Sequence, residues 1–210
     1  MDSFYTVAQE ASEEQIIEKS RFIGLVKRIE NTAQAEQNLK ETRESLPNAR
    51  HYVYAYRIHA SKLEKSSDDG EPQGTGGKPV LDLLQHRQIW NVQIIVVRYF
   101  GGILLGTGGL TRAYAGTARV ALEKAGRTLL IPHQIYSLKI PYSWYEQIKY
   151  GLRQHGWESA NEQFMEYISL DVFIQYEEQD HFVAWLDEHT NKQVLWKPEG
   201  FTLKTSAIIS

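Results

Sequence analysis

Hydrophobic and polar positions along the first part of the chain predict strands that alternate with helices. The segments rich in β-branched and aromatic residues, which predict strands, are 20–30, 51–59 and 92–98. The last is nearly continuous in apolar residues, which is typical of a buried central strand. A helix capped by Thr32 is predicted to run to about Leu46 and to stop at Pro47. The polar, glycine-rich segment 60–77 predicts a loop, and Pro79 suits the first turn of a short helix.

The clearest helix is predicted over residues 108–125. Its apolar and small residues recur with a period of about 3.6 residues and form one stripe. They are Leu110, Ala113, Tyr114, Thr117, Ala118, Ala121, Leu122 and Ala125. Gly126 follows as the natural stop of this helix, because glycine adopts the left-handed backbone of a helix end without a steric penalty.

The second part of the chain has a compact and different pattern. Strands are predicted at 135–141, 157–160, 164–176 and 193–204, and helices at 144–155 and 179–190. This β-α-β-β-α-β order is that of the ferredoxin-like fold. With a boundary near Pro132, the sequence predicts an α+β protein with two domains, residues 1–132 and 133–210.

Composition narrows the class of protein. An apolar content of 42% with 23% charged residues is that of an ordinary globular protein. The chain has no cysteine, which excludes disulfides and thiolate metal ligands. No run approaches the roughly 18 apolar residues of a membrane span, and the N-terminus lacks the basic and apolar segments of a signal peptide. A cytoplasmic protein without membrane contact is therefore expected.

Charge is divided unevenly between the two predicted domains. Residues 1–132 contain 17 Lys and Arg against 15 Asp and Glu, a net charge of +2. Residues 133–210 contain 6 against 11, a net charge of −5. The first domain can therefore meet phosphates more readily than the second, but it lacks the strong basic excess of a dedicated nucleic-acid module.

Glycine is concentrated in one part of the first domain. Nine of the 15 glycines fall within residues 70–109. Since glycine costs roughly 0.5–1 kcal/mol against alanine in regular structure, this crowding indicates positive φ angles or close backbone approach. One interpretation is tight turns between packed elements. The other is an exposed cradle of backbone N–H groups that binds an anion where the long helix begins.

Three cations flank the glycine-rich loops and favour the second interpretation. Lys78 ends the first loop, Arg98 ends the buried strand and Arg112 lies in the first helical turn. Arg112 and Arg119 also share a helix face. One interpretation is that a partner contacts this face, and the other is that it is an ordinary solvated surface. The predicted anion- or partner-binding surface comprises Gly74, Thr75, Gly76, Gly77, Lys78, Arg98, Gly101, Gly102, Gly106, Thr107, Gly108, Gly109, Thr111, Arg112 and Arg119.

Known nucleotide-binding loops do not fit these glycines. A P-loop ending at Lys78 needs glycine and a hydroxyl residue where the chain has Pro72 and Pro79. The dinucleotide pattern needs a third glycine where the chain has Thr111. The seven histidines show no spacing of metal ligands, so neither a cofactor nor a metal is predicted.

Asp68, Asp69 and Glu71 are the alternative catalytic candidates. Neighbouring carboxylates can bind a hard cation or exchange protons with a substrate. They can equally form a polar turn that caps backbone N–H groups, or pair with Arg98 or Arg112 and so hold the loop over the helix terminus. The tyrosines at 52, 54 and 56 share one strand face; core packing is the favoured interpretation and stacking on bases the alternative.

Taken together, these motifs resemble the IMPACT/YigZ family over about residues 17–125. The resemblance rests on Lys19–Ile23, Ser67–Pro72, Gly74–Pro79, Arg98–Gly102, Leu105–Leu110 and Arg112–Tyr114. The chain departs from the family pattern at Gly76, where alanine is common, and at Arg50-His51-Tyr52, where Thr-His-Asn/Asp is common. The second change bears on any role that needs a hydroxyl or amide beside His51.

The resemblance implies a fold and a process. The first domain would share the fold of the second domain of a small-subunit ribosomal protein and of domain four of elongation factor G. The second would be ferredoxin-like, as in domain five of that factor. Eukaryotic relatives act in the control of translation under amino-acid stress, by competing for an activator of a kinase. They carry another partner-binding domain in place of 133–210, so that specific regulation does not transfer.

Three functions remain open from the sequence. The first is a translation-associated binding protein that contacts RNA, the ribosome or a translation factor through its first domain. The second is an adaptor that meets an acidic protein partner. The third is a hydrolase that acts on a small anionic substrate through Asp68, Asp69 and Glu71, with Arg98 and Arg112 holding the anion.

Overall fold

The computed structural model describes residues 2–205, and these form two compact units. Phe4–Leu129 make up the first unit, and 130–205 belong to the second. The division falls inside a strand that begins at Arg127, eight positions before the predicted Ile135. Pro132, near which the sequence predicts the domain boundary, therefore lies within a strand.

The first unit is a sheet with helices on both faces. Its strands are β1 (Phe4–Val7), β2 (Ala11–Ile17), β3 (Ser20–Arg28), β4 (His51–Ile58), β5 (Leu63–Ser67) and β6 (Val92–Tyr99). Its helices are α1 (Thr32–Ser45), α2 (Gly77–His86) and α3 (Gly106–Ala125). Five strands form an antiparallel sheet in the order β2-β3-β6-β4-β5, with β6 at its centre as predicted.

The main core lies between this sheet and the pair α2 and α3. Every residue of the predicted α3 stripe is buried, and most of them join the strand side chains of this core. The opposite face of the sheet packs against α1, where Leu39 and the following Leu46 adjoin the cluster that contains Ile95 and Val97. Tyr52 and Tyr56 are buried on that face and Tyr54 is half-buried, in agreement with core packing.

Three strands and one helix cap of the first unit were not predicted: β1, β2, β5 and the cap of α1. β2 exposes every second side chain, including Ile16, and β5 has only one apolar residue, so hydrophobicity reveals neither strand. Both are edge strands whose extended form is stabilised by pairing with β3 and β4. The cap of α1 is Asn31 rather than Thr32, because its side chain accepts the N–H of Gln34 at 3.0 Å.

The second unit confirms the predicted β-α-β-β-α-β order and the α+β class. Its elements are β7 (Arg127–Ile140), α4 (Tyr142–His155), β8 (Glu158–Phe164), β9 (Ile168–Gln175), α5 (Gln179–Thr190) and β10 (Leu195–Thr205). The strands form an antiparallel sheet in the order β10-β7-β9-β8, the arrangement of a ferredoxin-like fold. Both helices bury their apolar sides on one face of this sheet.

Among residues 2–205, no helix combines the length and the apolar composition that a membrane span requires. The longest, α3, has 20 residues and carries Arg112, Arg119 and Lys124.

Gly151 tests the packing of the second unit. A Cβ atom at this position would lie 2.0 Å from the Trp185 ring. Replacing the glycine therefore forces α4 and α5 apart or displaces the Trp185 side chain. We expect Gly151→Ala to lower the free energy of unfolding by about 1–3 kcal/mol, the usual effect of an overpacked core. Urea titration followed by tryptophan fluorescence measures this, because four of the five tryptophans lie after residue 132.

Gly116→Ala is the matched control within a helix. The nearest atom to a Cβ at position 116 is 3.9 Å away, so the methyl group fits. We expect a gain of about 0.5–1 kcal/mol from the lower backbone entropy of the unfolded chain. Equal effects of the two substitutions, measured by circular dichroism, would contradict the packing at Gly151.

Candidate functional site

The first glycine-rich loop is closed by a carboxylate of the chain itself. Oδ2 of Asp68 accepts the N–H of Gly74 at 2.8 Å. Oδ1 accepts the N–H groups of Gly76 at 2.9 Å and of Gly77 at 2.8 Å. The backbone cradle that was predicted to bind an external anion at these glycines is therefore filled by Asp68.

The close approach of α2 to β5 explains why a glycine opens this helix. A Cβ atom at Gly77 would lie 2.7 Å from the backbone of Ser67. Because Asp68 directly follows Ser67, the same approach places the carboxylate at the amino end of α2. Burial acts to raise the pKa of the Asp68 carboxyl, but three backbone N–H donors outweigh burial and hold this pKa below its usual value of 3.8.

The other two candidate carboxylates are also engaged by the fold. Asp69 accepts the N–H of Tyr52 at 2.7 Å and pairs with Arg43 at 2.7 Å. Glu71 is buried, and its Oε1 accepts a hydrogen bond from Arg98 at 2.6 Å and another from the Tyr114 hydroxyl at 2.7 Å. Each carboxylate thus binds a group in another part of the first unit.

Glu71 is the centre of a buried network of polar side chains. Burial, followed by the hydrogen bond to Glu71, raises the pKa of the Tyr114 hydroxyl far above its usual value, so this hydroxyl stays a donor. Nε2 of His51 lies 3.7 Å from the same carboxylate oxygen. His51 Nδ1 lies 2.8 Å from the carbonyl oxygen of Asp69, which can only accept, so Nδ1 carries a proton. The network joins the loop 68–77 to β4, β6 and α3.

Two of the predicted cations are engaged by carboxylates of the chain itself. Arg98 is 5% exposed and is neutralised by Glu71, so it is not presented to an external anion. Its Nε has no hydrogen-bond partner within the described chain. Lys78 is exposed and pairs with Asp82, one turn along α2. Two of the three predicted cations, Lys78 and Arg98, are therefore paired with different carboxylates of the chain.

The amino end of α3 is open, in contrast to that of α2. Leu105 occupies the cap position without a side-chain hydrogen bond to the helix. Gly106, Thr107 and Gly108 are exposed, and so is Arg112 in the next turn. Arg112 has no ion pair among residues 2–205, and its Nη1 lies 3.5 Å from the place of a Cβ at Gly108.

The loop between β6 and α3, residues 100–105, carries exposed apolar side chains to this helix end. Phe100 is 38% exposed, Ile103 36% and Leu104 86%. Gly101 fixes the loop against the β2–β3 turn, because a Cβ there would lie 1.9 Å from the carbonyl oxygen of Lys19. The N–H of Gly101 donates to the Ser20 hydroxyl at 3.1 Å.

Two further cations adjoin this loop. Lys19 is exposed at the turn that contacts Gly101, and the guanidinium of Arg50 lies 5.4 Å from the centre of the Phe100 ring. Neither forms an ion pair within residues 2–205. We call the resulting area the α3-end surface, and it comprises Lys19, Arg50, Phe100, Ile103, Leu104, Gly106, Thr107, Gly108 and Arg112.

The remaining predicted residues lie apart from one another. Thr75 is buried and donates its hydroxyl to the Pro72 carbonyl at 2.6 Å, and Thr111 donates to the Thr107 carbonyl at 3.0 Å. Arg119 is exposed and lines a cavity of about 170 Å³ with Arg87. In the described part of the chain, no three His, Asp or Glu side chains are grouped closely enough to hold a metal ion.

The prediction missed Lys19, Arg50 and the apolar tip of the 100–105 loop. A signal for the tip was present, because Ile103, Leu104 and Leu105 form an apolar run between glycines and outside any periodic element. Lys19 and Arg50 stand in or beside family motifs, but no local pattern predicts that they meet this loop, since both reach it from segments distant in sequence.

Comparison with known proteins assigns this chain to a family. The chain matches the model of the Impact N-terminal domain over residues 18–122 and that of a domain of unknown function, DUF1949, over residues 138–193. The IMPACT family member YvyE of Bacillus subtilis is 32% identical over 192 residues, which cover 91% of this chain and 88% of that protein. The chain belongs to the IMPACT family.

Other IMPACT relatives match over one or both units. The IMPACT family member YigZ of Escherichia coli is 34% identical over 177 residues, which cover 83% of this chain and 87% of that protein. Protein IMPACT of Danio rerio is 38% identical over 94 residues, 42% of this chain and 29% of that protein. A crystal structure of a hypothetical protein superposes with a TM-score of 0.65, at 31% identity, over 95% of this chain and 98% of its own.

Glu71→Gln tests the buried network. The substitution removes the charge that neutralises Arg98, whose side chain is only 6% exposed. We expect the free energy of unfolding to fall by about 3–5 kcal/mol, since a buried charge loses its partner. Thermal and urea unfolding followed by circular dichroism measure the loss.

Glu14→Gln is the control for the loss of one carboxylate charge. Glu14 pairs with Arg21 at the surface, where the two side chains are 43% and 46% exposed. Removing this exposed pair should change the free energy of unfolding far less than Glu71→Gln does, because solvent screens the two charges. A loss at Glu71 no larger than that at Glu14 would show that the buried pair is not needed for stability.

Asp68→Asn tests the closure of the glycine-rich loop. The folded-state pKa of Asp68 lies below its usual value of 3.8, so ionised Asp68 stabilises the folded chain above that pH. This contribution is lost as the pH falls through the lowered pKa. We expect the variant to be less stable than the wild type at neutral pH and the difference to shrink below pH 3.8. Urea unfolding at several pH values measures this, and a difference independent of pH would contradict it.

Proposed function

We propose that this chain is a non-enzymatic binding protein associated with translation and that it contacts a negatively charged partner through the α3-end surface. The observation that carries the proposal is the open amino end of α3, beside which Lys19, Arg50 and Arg112 are exposed without ion pairs in the described chain.

Helix electrostatics support an anionic partner. The first N–H groups of a helix have no partner within the helix, and the aligned peptide dipoles place positive charge at the same end. α3 has 20 residues, and no side chain caps its amino end. Phosphates and carboxylates bind readily at such a position, and the nearby cations add to the attraction.

The contacts of the candidate catalytic residues support binding over catalysis. Asp68 caps the amino end of α2, Asp69 pairs with Arg43, and Glu71 neutralises Arg98. A carboxylate that acts as acid, base or metal ligand must reach a substrate or an ion. The fold instead uses all three groups to position the loop 68–77, which favours the binding protein over the hydrolase.

The association with translation rests on the resemblance to the eukaryotic relatives described above. Protein IMPACT of Danio rerio matches 42% of this chain, and the matched span is much shorter than the two units together. We therefore propose that this chain shares the association with translation, and we do not extend the kinase regulation to it. RNA phosphates, the ribosome and acidic translation factors all offer the negative charge that the α3-end surface requires.

The affinity expected from charge alone is modest. The net charge of residues 1–132 is +2, from 17 Lys and Arg against 15 Asp and Glu. For contact with RNA phosphates without sequence specificity, dissociation constants of about 10⁻⁴–10⁻⁶ M at physiological salt are typical. The interaction is then strongly weakened by salt.

Arg112→Glu tests the proposed function. The substitution reverses a charge one turn into α3, so we expect weaker cosedimentation of the purified chain with ribosomes and a shallower dependence on salt. Lys40→Glu serves as the control, because Lys40 is exposed on α1 and outside the α3-end surface. If Arg112→Glu binds as the wild type does, or if binding is insensitive to salt, the α3-end surface is not an anion-binding surface.

A further inference from the structure

The tip of the 100–105 loop exposes an aliphatic side chain to an unusual degree. Leu104 is 86% exposed, more than any other large hydrophobic residue in the described chain. Ile103, next to it, is 36% exposed. Solvent-exposed leucine by itself is common on protein surfaces. Here it stands at the end of a loop whose position the fold fixes.

The loop is held in place by backbone contacts. Gly101 packs directly on the carbonyl group of Lys19, and its N–H donates to Ser20. The guanidinium groups of Arg50 and Arg98 lie 5.4 Å and 5.5 Å from the centre of the Phe100 ring. The base of the loop is therefore anchored at Gly101, and Leu104 follows three residues later.

Three exposed cations adjoin this loop. Lys19, Arg50 and Arg112 are exposed and form no ion pair within residues 2–205. Most other cations of the first unit, among them Arg21, Lys27 and Lys124, have a carboxylate within ion-pair distance. An apolar anchor flanked by unpaired cations is complementary to a partner that offers both carboxylates and an apolar pocket.

We propose that an acidic segment of a partner protein docks on the α3-end surface, with Leu104 as its apolar anchor. This rests on the proposed function and specifies the class of partner. Carboxylates of the segment lie at Lys19, Arg50 and the open amino end of α3, and a large apolar side chain or pocket of the partner covers Leu104.

The chemistry of the loop favours protein over RNA. Proteins that bind single-stranded RNA stack its bases on aromatic side chains. The loop has one aromatic residue, Phe100, and two guanidinium groups already lie near its ring. Leu104 gains from removal of apolar surface from water, which a sugar–phosphate backbone does not provide. Large apolar anchors within a charged rim are characteristic of protein interfaces.

The experiment compares an acidic peptide with RNA on the same variants. A display library of random peptides is selected on the immobilised full chain, and the selected peptide and oligouridylate are then titrated by fluorescence anisotropy. We expect selected peptides to be rich in Asp and Glu and to contain a large apolar residue. Leu104→Ser should weaken peptide binding about tenfold or more, the usual loss at an interface anchor, and should leave oligouridylate binding unchanged.

Matched variants separate the two proposals. Leu195→Ser removes a leucine that is 65% exposed in the second unit, and it should bind the peptide as the wild type does. If peptide binding does not respond to Leu104→Ser while Arg50→Glu weakens oligouridylate binding, this inference fails and the proposed function stands. If neither probe responds to Arg50→Glu or Arg112→Glu, both fail.

A second copy of the chain is the alternative partner that the experiment must distinguish from an acidic segment of another protein. The second unit carries net negative charge, so it can in principle supply the acidic segment. In sedimentation without peptide, we expect the wild-type chain and Leu104→Ser to have the same association state. A dimer that dissociates on this substitution would overturn the partner assignment.

Discussion

The buried carboxylate of Glu71 is the contact on which the candidate site depends. Glu71 accepts hydrogen bonds from Arg98 on β6 and Tyr114 on α3, and its loop leads into α2. An ion pair buried to this degree is costly to desolvate, and its value lies in the arrangement that it imposes. Here it fixes the positions of the loop 68–77, β6 and α3 relative to one another.

Glycine has a different structural role in each of the two glycine-rich loops. In the first loop, backbone N–H groups converge on Asp68, and Gly77 allows α2 to pack on Ser67. In the second, Gly101 lets the chain approach Lys19 closely, and the following residues are directed to solvent. The backbone N–H groups of the first loop are therefore satisfied within the chain, whereas the second loop leaves a helix end uncapped and an apolar tip exposed.

The difference between the predicted and the observed site arises from electrostatic pairing. Lys78, Arg98 and Arg112 all adjoin glycines in the sequence, and only Arg112 remains without a carboxylate partner in the described chain. Lys19 and Arg50 take the place of the other two at the surface. They come from the β2–β3 turn and from the residue before β4, and the pairing of β3 and β4 with β6 brings them to the 100–105 loop.

The sequence alone determined the elements whose signal is local. The stripe of α3, the run of β6 and the stops at Pro47 and Gly126 each depend on a few neighbouring residues, and each is found in the structure. Tertiary structure alone decided the strands β2 and β5, because these polar edge segments are extended only while paired. It also decided which charges are buried, since the pairing of Glu71 with Arg98 joins residues 27 positions apart and no local pattern records that distance.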